Sequence, residues 1–131
     1  MSNMIVTNND TGVLVIANAY YQDDVFTAGG AGTTPAGTIL ARNAGGKLVP
    51  FVKGAGDETG VPVSILTVDL VAAGAGDLPV RPLISGSVHK NDLIIAADGD
   101  DSNIDAAVKD ALKVADIIAL ESVELNILDN Q

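Results

Sequence analysis

The sequence contains no cysteine and no tryptophan, a single histidine, and only four aromatic side chains, Tyr20, Tyr21, Phe26 and Phe51. Without cysteine there is no disulfide, no thiolate metal site and no cysteine nucleophile, and the redox compartment leaves no mark on the chain. One histidine, His89, excludes a histidine metal cluster, and any Ser-His-Asp arrangement would have to use it. It lies between Val88 and Lys90 in what reads as a polar, solvent-exposed turn. Four scattered rings make neither a base-stacking platform nor a sugar-stacking surface. Basic residues are also scarce, seven against seventeen acidic ones for a net charge of −10, which opposes binding to nucleic acid or anionic lipid. No apolar run approaches the ~20 residues needed to span a bilayer, and no secretory cleavage pattern opens the chain. The expectation is a protein made in the cytoplasm, with no nucleic-acid or membrane partner.

What is present is aliphatic. The chain of 131 residues fits one domain with one core, and its 47% hydrophobic content must come from Val, Ile, Leu and Ala, which favours strands. Residues 1–12 surround Ile5 and Val6 with polar side chains and read as a mobile arm. Residues 13–17 suit a buried strand, closed by Tyr20 and Tyr21. Residues 28–37, AGGAGTTPAG, disfavour helix and ladder pairing and form the best linker candidate. This divides the chain into an arm and Gly-rich linker over 1–34, with residues 13–26 able to dock, and a β-rich body over 35–131.

Within the body, residues 38–42 and 47–53 read as strands joined by Asn43-Ala44-Gly45-Gly46 in a hairpin. Leu66, Val68 and Leu70 alternate with Thr67 and Asp69, the period of a half-buried strand over 63–71. Residues 78–85 resume that pattern, but Pro79 and Pro82 point to an edge strand. Residues 93–97 form another short apolar run. Ile104, Val108, Ala111, Leu112 and Ala115 share one face at helical spacing, with Ser102 as the expected N-cap and Asp105 completing a capping-box pattern. Val123, Leu125 and Ile127 alternate with Glu124 and Asn126 and predict a closing strand. The fold class is therefore mainly β with one α-helix near the C-terminus, of the α+β type.

The chemical constellations are near-misses. The acids from Asp98 to Asn103 suggest a calcium loop, but Asn103 stands at the glycine position and Lys109 at that of the bidentate glutamate. Helix capping is the favoured role. Residues 41–48 imitate a phosphate loop through Gly46-Lys47, yet Ala41 and Leu48 replace the glycine and hydroxyl residue. The carboxylate pairs Asp23-Asp24, Asp57-Glu58 and Asp100-Asp101 are adjacent loop residues without the separation that hydrolysis across a cleft requires. No catalytic, metal or cofactor site is expected, and the chain reads as a structural protein rather than an enzyme.

From Pro35 onward an ordered series of short matches resembles the lambda-type bacteriophage head decoration family. It comprises Pro35-Ala36-Gly37-Thr38-Ile39-Leu40, Gly46-Lys47-Leu48-Val49-Pro50, the loop 54–60, Val63-Ser64-Ile65-Leu66, Ser85-Gly86 and Asp92-Leu93-Ile94. The resemblance implies a compact single domain of β-tulip or β-clip shape with a flexible N-terminal arm. It further implies homotrimers at local threefold positions of the expanded head, the major capsid protein as partner, and a place on the capsid exterior after synthesis in the host cytoplasm. An arm containing Met4, Ile5, Val6 and Thr7 would then supply a strand to an exposed capsid edge. The competing expectation is a β-rich accessory or binding module of a phage tail or baseplate.

Overall fold

In the computed structural model, which describes residues 14–120, short strands alternate with tight turns and α1 (Ala106–Val114) is the one α-helix among the described residues. The strands are β1 (Val15–Tyr21), β2 (Asp24–Ala28), β3 (Gly32–Thr34), β4 (Ile39–Arg42), β5 (Leu48–Pro50), β6 (Ser64–Ile65), β7 (Leu70–Ala72), β8 (Gly76–Val80), β9 (Leu83–His89) and β10 (Ile117–Leu120). Eight of them form one sheet in the order β1-β9-β6-β4-β5-β2-β8, with β10 also on β9, while β3 and β7 pair separately. The sheet curls into a half-barrel, and the expected mainly-β class with a helix near the C-terminus is what is found.

The β4–β5 hairpin forms as the Asn-Gly pattern predicts, with Leu40 opposite Pro50 and Arg42 opposite Leu48. Asn43 Oδ1 accepts from the amides of Gly45 and Lys47 at 2.9 and 3.1 Å, and Gly46 takes the positive φ of 82° that closes the turn. Strand β4 is buried at Ile39, Leu40 and Ala41 because its two faces serve two apolar clusters. Ile39 belongs to the larger cluster, with Phe51, Ile65, Leu83, Leu112 and Ile117. Leu40 belongs to the smaller, with Phe26, Leu48 and Leu66.

The segment Pro35-Ala36-Gly37-Thr38 ties three parts of the chain together. Gly37 N–H donates to the Leu66 carbonyl at 2.6 Å, Ile94 N–H donates to the Gly37 carbonyl at 2.9 Å, and Ala36 N–H donates to Asp69 Oδ1 at 2.8 Å. Thr38, fully buried, satisfies its hydroxyl on the Pro35 carbonyl at 2.7 Å. This accounting leaves a buried crossing with paired polar groups.

Several sequence expectations are corrected. Residues 63–71 do not make one strand: β6 ends at Ile65, Val68 is 63% exposed, and β7 begins at Leu70. The chain leaves β4 after Leu66 binds the Thr38 carbonyl and joins β3 instead. Strand β3 itself lies inside the stretch expected to resist ladder pairing, with Gly32 opposite Ala72 and Thr34 opposite Leu70. Pro79 does sit on a strand at the end of the sheet path, but Pro82 separates β8 from β9. Strand β9 is interior, flanked by β1 on one side and by β6 and β10 on the other. Residues 93–97 form no named strand, although Leu93 and Ile95 are buried and Ile94 bridges to Thr38.

The helix packs Val108 and Leu112 inward as the spacing predicts, and Ile104, just before the helix, is buried beside them. Its N-cap is Asp105, whose Oδ1 accepts from Val108 N–H at 3.1 Å, not Ser102. The residues after Ser102 first make a turn, so the helix begins three positions later than the capping-box pattern suggests. Strand β10, parallel to β9, went unpredicted, and the expected strand at Val123, Leu125 and Ile127 lies outside the described residues.

Candidate functional site

A structural protein is read from its surfaces and from where chain segments leave its body. The first described residue, Leu14, accepts a hydrogen bond on its carbonyl from His89 N–H at 2.9 Å, which holds Leu14 beside the end of β9. Strand β1 follows and, among the described strands, pairs only with β9. Its ladder shifts register between Val15 and Ala17, between Ala17 and Tyr20, and between Tyr20 and Tyr21. Asn18 takes a positive φ of 57° within that irregular stretch. These bulges bend an outer strand and turn Tyr20, 66% exposed, toward solvent.

Below Leu14 lies an open cleft of about 350 Å³, bordered by Ala36, Ile94, Asp92, Asp100 and Asp101. It carries no catalytic constellation. Hydrogen bonding from the Ser102 side chain, and with it the Ser102 N–H donating to Asp100 Oδ1 at 3.0 Å, holds the Asp100 carboxyl below the usual range. Asp101 pairs with Lys90 at 3.3 Å. The acids singled out as a calcium-loop mimic thus organise the turn before α1. His89, half-buried at the end of β9 rather than in an exposed turn, contributes its backbone to anchoring Leu14. The phosphate-loop mimic is the β4–β5 hairpin itself.

Of the remaining carboxylate pairs, Asp23 and Asp24 are divided between two arginines. Arg42 holds Asp24 through two contacts, 2.8 and 3.3 Å, and lowers its pKa by that hydrogen bonding, while Asp23 meets Arg81 at 2.8 Å. Lys47 bonds Asp77 and Lys53 bonds Asp105, each lowering the carboxylate's pKa. Asp57 caps the short turn at Glu58–Gly60 through Thr59. Cations are therefore spent inside the molecule, and the excess negative charge is left for the surface. The predicted arm residues Met4, Ile5, Val6 and Thr7 lie outside the described residues. Sequence reading missed the junction at Leu14 and His89, because it depends on two segments distant in sequence.

Comparison with protein-family models matches residues 6–117 to bacteriophage lambda head decoration protein D. The chain belongs to this family. The family is one of structural capsid decoration proteins. Membership supports association with the phage capsid and a location on the virion head. The match includes Pro35-Ala36-Gly37-Thr38 and Ser85-Gly86, both of which the fold uses at close backbone crossings. A search of curated proteins returns no match.

Proposed function

We propose that this protein cements the phage head: it binds as homotrimers at local threefold positions of the expanded capsid, and its N-terminal arm adds a strand to the major capsid protein. The observation that carries this reading is the family match over residues 6–117, which takes in most of the body and the later part of the arm. The position of Leu14 beside the end of β9 supports the arm's part in it, because the arm is then continuous with a residue held at the end of a strand and not among the buried members of the two apolar clusters. Met4, Ile5, Val6 and Thr7 then supply backbone hydrogen bonds to an unpaired capsid edge. Three arms on one trimer act together, so individually weak contacts add through avidity. The acidic surface suits a protein that must stay dispersed at high concentration until heads expand.

The test combines light scattering with reconstitution on expanded heads lacking the protein. A trimer on the shell, filling threefold positions and raising the temperature at which heads disrupt, is the expected result. A protein that remains monomeric on the capsid, or fills the threefold positions without altering head stability, would overturn the corresponding half of the proposal.

A further inference from the structure

A groove runs between α1 and β10, lined by Ala106, Asp110 and Lys113 on the helix and by Ile118 and Leu120 on the strand. Apolar surface is left open there, where Ile118 is 38% exposed. Strand β10 uses one edge to pair with β9, and no described strand takes the other. An unpaired edge beside exposed apolar side chains is a template for another strand. The family match stops at residue 117, whereas this chain continues through residue 131.

We propose that the segment 123–127 of the same chain folds back along the free edge of β10 as an additional antiparallel strand that begins at Val123 or at Leu125 and covers this groove. The inference goes beyond capsid decoration and does not rest on it. Opposed residues of antiparallel strands point to the same face. A two-residue connection at 121–122 sets Val123 opposite Leu120 and Leu125 opposite Ile118. A four-residue connection at 121–124 sets Leu125 opposite Leu120 and Ile127 opposite Ile118. Either connection lays the apolar members of the alternation over the exposed apolar face of β10, whereas an odd-length one would place Glu124 and Asn126 there. So few residues separate the segment from β10 that its effective concentration there exceeds that of any other copy in dilute solution.

The test uses the full chain. Hydrogen exchange on the unmodified protein should show amides within 125–127, which both connections place on the strand, slowed about tenfold or more relative to a free chain; exchange at the free-chain rate throughout overturns the proposal. Because the chain has no cysteine, Ile118→Cys combined with Leu125→Cys, and separately with Ile127→Cys, report the register directly. One of the two pairs should oxidise to a bridge within a single chain. Chains linked to one another, which would put the strand in a second copy, or no bridge from either pair, would overturn it.

Discussion

Gly37 passes so close to the Asp92 carbonyl oxygen that a methyl group on its α-carbon would overlap that atom. Its φ of 95° is one that residues with a side chain rarely adopt. Both constraints act at the crossing where Gly37 bonds to Leu66 and Ile94. Gly37→Ala is therefore expected to cost about 2–4 kcal/mol through strain and overpacking, read as a lower urea midpoint with an unchanged slope. A variant as stable as the parent would show that the crossing relaxes freely.

The start of α1 discriminates between two caps. Asp105→Ala removes the acceptor of Val108 N–H and the partner of Lys53, and should lower the thermal midpoint by roughly 3–6 °C. Ser102→Ala should leave it within about 1 °C, because Ser102 receives support from Asp100 rather than giving it to the helix. Adding calcium should move the midpoint little, since Asp100 and Asp101 already serve the turn and Lys90. Equal losses from the two alanine variants would return the cap to Ser102.

Acid sensitivity follows from the carboxylates held by cations. Hydrogen bonding from Arg42 depresses the folded-state pKa of Asp24, and Lys47 does the same for Asp77. A depressed folded pKa contributes stability that is present above the unfolded carboxylate range near about pH 4 and is lost as pH falls through the folded value. Arg42→Ala should accordingly cost about 1 kcal/mol or less at pH 7, given partial exposure of the pair, and almost nothing near pH 2. Denaturant titrations at the two pH values measure the difference. An equal cost at both would assign the role of Arg42 to its bond with the Gly46 carbonyl instead.

Local signals in the sequence were legible where local physics decides. Asn43 to Gly46 announced the β4–β5 hairpin, and the spacing of Ile104, Val108 and Leu112 announced the buried face of α1. Non-local decisions were not. The alternation across Leu66, Val68 and Leu70 is broken because Leu66 bonds back to Thr38 and Asp69 bonds Ala36, partners some thirty residues away. The interior position of β9 depends on Gly86, where a side chain would crowd the backbone of β1 at Ala17 and Ala19. Strand β10 was hidden because Ile117–Leu120 is too short to show a period and pairs in parallel with a segment far upstream. For the candidate site, composition excluded catalysis by cysteine and opposed nucleic-acid binding, but the Leu14–His89 junction exists only once β1 and β9 meet.

That junction separates folding from function in a testable way. Residues before Leu14 precede the described sheet, whose two apolar clusters draw their buried members from Phe26 onward. Deleting residues 1–10 should therefore leave circular dichroism, thermal midpoint and oligomeric state unchanged. Capsid binding should fall by at least about tenfold, because each trimer would lose three strand-forming segments and the avidity they provide. Ile5→Pro or Val6→Pro should reproduce much of the loss, since proline removes the backbone donor that strand addition uses. Substituting Ala at the same positions keeps that donor and should cost less. A folded truncation that binds expanded heads as tightly as the intact chain would assign cementing to the body alone.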